Sequence, residues 1–495
     1  MGSRTVAALA CFLVLLVPVS AAPRPKPPET RPNVIVILVD DLGYGDLGVY
    51  GGKTVPTPNI DALVRSGVRF TQGYATAAVC APSRAGLLSG RHQARFGFEF
   101  NPVGRDEQIG LPPSETTIAQ VLKRAGYVTG MIGKWHIGQA EGFHPLDRGF
   151  DSFFGVLGGA TSYFSNPADS PIPADTGADG LTTRARFPIT RAHEVVDPPG
   201  YLTDVFTDEA DKFITANRDR PFFLYLAYNA PHTPLQAPKA YTDRFAEISS
   251  PQQRVYAGMV ASLDDNIGRL RKVIRDQGLE RRTVILFISD NGCPNYVRGA
   301  CSNAPLSGFK AFPWEGGVRV PFALSAPGRV PAGGVSDRPV STLDVMPTLA
   351  ALAGVSAPRS AEGLDLFTLL KSPRRAGNDR PLFWRMGPNH AVRDGRWKLL
   401  VVNRSDTVQD LTNILGAPTP DGIKAEVSPL GQWVLLFDLE ADPAEKHDLA
   451  ARYPAVVARL SGEFAAWDRL NVDPVFTSRR QFRTEVDGRR VQLFN

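Results

Sequence analysis

Two acidic pairs stand where apolar runs stop. Asp40-Asp41 closes the run over 33–39, and Asp290-Asn291 closes the run over 283–289. Adjacent carboxylates in an apolar setting repel each other unless a cation or a proton intervenes. The four side chains together offer hard oxygen ligands, which suit Ca2+ or Mg2+ better than zinc. Taken singly, Asp40-Asp41 is an ordinary turn or cap, and Asp290-Asn291-Gly292 an ordinary turn. Five basic side chains accompany them: Arg84, Lys134, His136, His232 and Lys310. Each histidine or lysine alone is a packing or surface residue. Arg84 is harder to place, because a cation near a helix start opposes the macrodipole. An anion bound beside it would account for that position.

The chain has four cysteines. Cys11 lies in a stretch with a positive Arg4, an apolar run over 6–17 and small residues at Ser20-Ala21-Ala22. That is the pattern of a secretory signal over 1–22. Its apolar run is shorter than the ~20 residues of a membrane span. An exported protein is expected, periplasmic or secreted, with no stable membrane span. Residues 23–32 are Pro-rich and basic, a flexible lead-in. Cys293 and Cys301 lie close in one loop, and an oxidising compartment would let them bridge; two free thiols are the alternative. Cys80 is then a lone cysteine, which marks it for reactivity or modification.

With 43% hydrophobic residues the chain can bury a large core, and its formal net charge of +5 mildly favours anionic ligands. It lacks the dense Lys/Arg runs of a nucleic-acid binder. One glycosylation sequon occurs, Asn403-Arg404-Ser405, which leans toward a periplasmic rather than a lysosomal protein.

The elements that must position these residues are legible. Buried strands are expected over 33–39, 127–132, 221–228, 283–289 and 320–325. Helices are expected over 58–65, 114–124 with Ser114 as cap, 251–278 and 341–353, and a further one after Cys80. Residues 158–200 lack periodicity and read as a functional loop region. Strands alternating with helices predict an α/β fold: a large, mixed, mostly parallel sheet flanked by helices, over 33–377. Polar residues past the strand ends fall where such sheets place their sites. Strands over 391–402 and 433–438 and a helix over 454–470 predict a smaller C-terminal α+β domain with an antiparallel sheet, over 378–495.

Ordered along the chain, several stretches carry a resemblance. They are Val39-Asp40-Asp41-Leu42-Gly43-Tyr44-Gly45-Asp46, Cys80-Ala81-Pro82-Ser83-Arg84 and Gly133-Lys134-Trp135-His136-Ile137-Gly138. Ala230-Pro231-His232-Thr233-Pro234, Ser289-Asp290-Asn291-Gly292, and Lys310 with Trp314-Glu315-Gly316-Gly317 follow. Leu436-Phe437-Asp438-Leu439 with Asp442-Pro443-Ala444-Glu445 matches near the end. The ordered set resembles the type I, formylglycine-dependent sulfatases of the alkaline phosphatase superfamily, arylsulfatases and carbohydrate sulfatases among them.

The resemblance implies a sulfuric ester hydrolase. It makes Cys80 a formylglycine whose hydrate attacks sulfur, and Asp40, Asp41, residue 80, Asp290 and Asn291 the ligands of Ca2+, in preference to Mg2+. His232 becomes the general acid, assisted by Lys310, and His136 the base. Arg84 and Lys134 orient the hydrate, and Lys134, His232 and Lys310 bind the substrate. A formylglycine-generating enzyme is the implied maturation partner; Ala81, where Ser or Thr is usual, bears on which such enzyme accepts the chain. Arg91-His92-Gln93 and Phe150-Asp151-Ser152-Phe153-Phe154-Gly155 resemble carbohydrate sulfatases, so the implied substrate is a sulfated saccharide, with aryl sulfates as synthetic substrates. The rival readings are a phosphate or phosphonate ester hydrolase on the same scaffold and a non-catalytic secreted binding protein. The stretch over 91–99 and residues 158–165 are expected to shape the substrate pocket or simply to pack.

Overall fold

Every residue of the Asn33–Val39 strand is buried, because the strand lies inside a ten-stranded sheet covered on both faces. In the computed structural model it pairs in parallel with Phe222–Ala227 on one side and Thr283–Ser289 on the other. Val128–Lys134 and Ser152–Val156 extend the parallel part. Phe322–Ser325 joins the other side antiparallel, and a short hairpin of Ile189–Arg191 and Glu194–Val196 ends the far edge. The structure describes residues 1–2, 31–102, 109–166, 169–170, 187–297, 299–372, 380–408, 423–478 and 480–494. The expected signal, most of the lead-in and the boundary at 377 lie outside them.

Alternation along the central strand divides the core. Ile35, Ile37 and Val39 meet Leu202, Met259 and Leu263 from the helices Leu202–Ala216 and Pro251–Asp276. Val34, Val36 and Leu38 meet Leu87, Leu122 and Leu349 from Cys80–Ser89, Ile118–Arg124 and Val345–Leu352. Successive strand residues point to opposite faces, so a doubly covered strand must be apolar throughout. Each such side chain contributes about 1.5–3 kcal/mol through burial.

Six antiparallel strands form the second sheet: Leu382–Met386, Asn389–Asp394, Trp397–Arg404, Gln432–Asp438, Gln481–Val486 and Arg489–Phe494. The helix Pro454–Asp468 covers one face through Leu460, Phe464 and Trp467. The other face carries Trp384, Leu400, Phe437 and Phe482 and packs on Tyr74, Val79, Phe312 and Trp314. Among the described residues, no helix is long and apolar enough to cross a membrane.

Two expectations need correction, and two further sequence features find their structural setting. The helix expected from Ser114 starts at Ile118. Its cap is Thr117, which accepts from the Gln120 N–H while the Gln120 side chain accepts from the Thr117 N–H. This Thr-x-x-Gln capping box outweighs the earlier serine. The region over 158–200 is not irregular throughout, because it contributes the edge hairpin, whose three-residue strands are too short to show a period. Asn403 is buried within a strand and its amide donates to the Glu426 carbonyl at 2.8 Å, so the folded chain does not present the sequon. The stretch over 91–99 packs, one of the two outcomes expected of it, against the second sheet and its helix. Arg95 pairs with Glu362, Glu99 with Arg385, and His92 meets the Phe383 carbonyl at 3.0 Å and the Trp467 ring.

His92 gives a testable pH effect. Burial, helped by the charges of Arg95 and Arg385, pushes its pKa down to about 3 from the ordinary 6.5. Between those values the unfolded chain binds the proton and the folded chain does not. Stability is therefore lost as pH falls from about 6.5 toward 3. His92→Gln is expected to flatten the acid limb of a Tm–pH profile relative to the parent; an unchanged slope would refute this assignment.

Candidate active site

The acidic pairs meet because their strands are neighbours. Asp40 and Asp41 follow Val39, and Asp290 follows Ser289 one strand away, with the Asp290 N–H donating to the Val39 carbonyl at 3.0 Å. Asp41 has φ 65°, a left-handed backbone that is costly for a residue with a side chain. His136 (φ 64°) and Ala311 (φ 71°), which follows Lys310, share it. Backbone strain thus concentrates where the reactive side chains converge.

Cys80 opens the helix Cys80–Ser89, with Sγ 3.4 Å from Asp40 Oδ1 and 4.0 Å from Asp41 Oδ1. Arg84 lies one turn further along. It donates through Nε (3.0 Å) and Nη2 (2.8 Å) to Asp290 Oδ2 and through Nη1 to the Lys134 carbonyl at 2.8 Å. Lys134 Nζ meets Asp40 Oδ2 at 2.5 Å, and Lys310 Nζ meets Asp41 at 2.8 Å. His232 Nε2 is 3.6 Å from Asp41 Oδ2, and its Nδ1 sits 2.6 Å from the Thr233 carbonyl, which requires a proton on Nδ1. The residues predicted from the sequence for this site therefore gather around Cys80; His136, whose ring lies beside Gly159, is near enough to feel the charges of Lys134, Arg84, Asp40 and Lys310. A Cβ at Gly159 would lie 2.5 Å from His136 Nε2, so the ring needs that glycine.

Charge in the cluster is closely held. Burial raises the Asp40 carboxyl, but Lys134, His232, Arg84 and Lys310 together hold it well below the usual carboxylate range. Burial and the Asp40 charge push Asp290 up, to about 7, against Arg84. Burial, with Lys310, lowers His232 to about 4. His136 falls well below its ordinary value through burial and the charges of Lys134 and Arg84. Burial pushes the Cys80 thiol up, partly offset by Lys134 and Lys310.

Among the buried side-chain atoms of the described residues that lack a hydrogen-bond partner, two belong to the residues predicted for this site, Asn291 Oδ1 and His136 Nδ1. A buried polar atom left unpaired costs about 1–3 kcal/mol, a cost that a group bound at Asn291 Oδ1 would offset. The Asn291 amide nitrogen is occupied, donating to Asp41 Oδ1 at 2.7 Å. Its free oxygen, with the carboxylates of Asp40, Asp41 and Asp290, forms an all-oxygen donor set that fits a hard divalent cation.

Sequence reasoning missed Tyr296 and Asn101, and gave Tyr163, within the stretch over 158–165, no role of its own. Tyr296 reaches Asp41 Oδ2 with its hydroxyl at 3.4 Å. It sits in the loop that a Cys293–Cys301 disulfide closes, with Cα atoms 6.2 Å apart. Tyr163 donates to the Asn229 and His232 carbonyls at 2.5 and 2.9 Å, holding the histidine loop. Asn101 accepts from the Ala81 N–H at 2.9 Å and fixes the start of the Cys80 helix. None belongs to the matched stretches, and a tyrosine in a loop carries no local signal. Two cavities open beside the cluster, one lined by Tyr296, Lys310, Phe312 and Phe482, the other by His136, Gln139, Leu157, Gly159 and Phe187.

Comparison with known proteins agrees with this geometry. The Sulfatase family model matches residues 32–355. The chain is 35% identical over 437 residues to human arylsulfatase A, covering 84% of this chain and 83% of the relative. It is 35% identical over 467 residues to human N-acetylgalactosamine-6-sulfatase, covering 89% and 85%. The solved structure of Ps i-CgsB with k-i-k-neocarrahexaose superposes with a TM-score of 0.78 at 33% identity, covering 90% of this chain and 95% of that one. A chain that matches the family over most of its length and brings that family's ordered motifs to one buried cluster belongs to the sulfatases of the alkaline phosphatase superfamily, and is a sulfuric ester hydrolase.

Proposed function

We propose that this sulfatase removes sulfate from a sulfated saccharide, using residue 80 as formylglycine and Ca2+ held by Asp40, Asp41, Asp290 and Asn291. The observation that carries the reading is the buried cluster in which Cys80 faces three carboxylates, Arg84, Lys134 and Lys310, with Asn291 Oδ1 unpaired. A formylglycine hydrate would supply an oxygen nucleophile that the cysteine thiol lacks, and the cation would polarise sulfate oxygens. Lys134 and Lys310 would bind those oxygens, and Arg84, held by Asp290, would with Lys134 orient the hydrate. His232 carries its proton on Nδ1 when neutral, so Nε2 becomes a donor only on protonation, which the charge of a bound sulfate ester favours. From there it would protonate the leaving alcohol oxygen. His136, whose Nδ1 is buried and unpaired, would be the base or hydroxyl partner in the step that expels sulfate.

The names of the relatives support the saccharide, since one acts on N-acetylgalactosamine 6-sulfate by name and another was solved with a neocarrahexaose. The Cys293–Cys301 bridge supports an exported protein, matured by a formylglycine-generating enzyme. Metal removal tests the reading. Treatment with a chelator is expected to abolish turnover of an aryl sulfate and to lower Tm; Ca2+ should restore both more fully than Mg2+. Chelation that leaves both activity and Tm unchanged would refute the cation site.

A further inference from the structure

The C-terminal stretch Asp442-Pro443-Ala444-Glu445 has no part in the chemistry above, yet Glu445 is fully buried and turns inward with φ 55°. Its Oε2 accepts from the Glu315 backbone N–H at 2.6 Å, and its Oε1 lies 3.0 Å from Lys398 Nζ. Lys398, from the Trp397–Arg404 strand, also donates to Glu315 Oε1 at 2.9 Å. The second Glu315 oxygen accepts from the Tyr74 hydroxyl at 2.7 Å and from Arg319 at 3.3 Å. The side chains of Lys398, Glu315 and Glu445 have no exposed surface. Buried ion pairs rarely stabilise a fold more than apolar residues would, although breaking one is costly. A network of this size buried between two sheets points to a task other than stability.

What the network grips is informative. Glu315 forms the base of a loop closed by the Gly316 N–H donating to the Ser307 carbonyl at 2.6 Å. Lys310 stands on that loop, and the next residue, Ala311, donates its N–H to the Ala78 carbonyl at 2.7 Å, two residues before Cys80. Tyr74 begins the same segment that leads to Cys80, and Trp384 of the second sheet donates to the Ala75 carbonyl at 2.8 Å. One buried knot therefore ties the loop bearing Lys310 and the segment bearing Cys80 to the C-terminal sheet.

We infer that Glu445 and Lys398 are positioning residues: through Glu315 and Tyr74, the C-terminal sheet sets the Lys310 ammonium against residue 80. This rests on the role proposed for Lys310. A lysine on a loop has several torsions to lose, and a displacement of about 1 Å at a reacting centre can cost on the order of a hundredfold in rate. The second sheet is then part of the catalytic apparatus without touching substrate.

The test uses the full matured chain and an aryl sulfate. Lys398→Met alone leaves two carboxylates buried without their partner and is expected to lower Tm. Lys398→Met with Glu445→Gln removes opposite charges together and should recover much of that Tm. The double variant should still lose about ten- to a hundredfold in kcat with little change in KM. The deciding measurement repeats the double substitution in a Lys310→Ala background. A residue acting through Lys310 has nothing left to position there, so the further loss in kcat should vanish. An equal loss in both backgrounds, or a double variant with parental kcat, overturns the proposal while leaving the Lys310 role intact. If Lys310→Ala itself leaves kcat unchanged, the role proposed for Lys310 fails, and this inference with it.

Discussion

Cys80→Ala is expected to remove turnover almost entirely, by about 10⁶-fold in kcat, the scale of losing a nucleophile. The fold should persist, because the side chain is small and its Sγ contributes only long contacts to Asp40 and Asp41. Cys80→Ser is the sharper variant. It provides one attacking oxygen but no second hydroxyl to expel sulfate from the product ester. Each chain should therefore accept at most one sulfate and retain it. The expected observation is a burst of released alcohol no larger than the enzyme concentration, with sulfate remaining on the peptide that contains position 80. Sustained turnover by Cys80→Ser would show that residue 80 is not the group that attacks sulfur.

His232→Asn is expected to produce the second largest loss, and its size should depend on the substrate. A general acid contributes about 10²–10⁴-fold, and it matters most when the departing alcohol is a poor leaving group. A sugar sulfate should thus lose far more kcat than an aryl sulfate whose phenol leaves readily as its anion. Measuring kcat across aryl sulfates of graded phenol acidity checks this: the variant should depend more steeply on leaving-group pKa than the parent. Parallel dependences would assign His232 to binding rather than to proton transfer. Lys310, 2.8 Å from Asp41 and beside the same space, would then be the remaining candidate for the acid.

The catalytic half of the molecule was unusually legible because function and fold share one device. Doubly buried parallel strands must be continuously apolar, so the runs over 33–39 and 283–289 announce themselves, and the acidic pairs mark where they emerge from the sheet. Adjacency of those strands then brings Asp41 and Asp290 together, as their backbone–side-chain bond of 3.2 Å records. The resemblance added Cys80, Lys134 and Lys310, which lie on separate elements and share no local pattern. Long-range partners were not legible. Tyr296 reaches Asp41 across 255 residues of chain, and Glu445 reaches Glu315 across 130. Neither contact leaves a trace in composition or period. The sequence leaves the stretch over 91–99 open between shaping a pocket and packing. Its nearness to the Cys80 stretch suggests a pocket, whereas Arg95 and Glu99 pair with Glu362 and Arg385 in distant parts of the chain. A charge bound for an ion pair and one bound for a substrate look alike until the fold supplies the partner.

The buried network at Glu445 also changes how the C-terminal sheet is understood. Its inner face is apolar, with Trp384, Leu400 and Phe437 in one cluster, so packing alone would hold it to the larger sheet. The ion pairs beneath that face join elements that carry the reacting groups, which gives the smaller sheet a stake in the chemistry.

We propose that residue 80 works as an aldehyde. The direct measurement is the mass of the tryptic peptide spanning 70–84, from protein produced together with a formylglycine-generating enzyme and assayed on the same preparation. The aldehyde form is expected, in proportion to the specific activity across preparations of different maturation. A preparation that hydrolyses sulfate esters at full rate while this peptide carries only the cysteine thiol would contradict it.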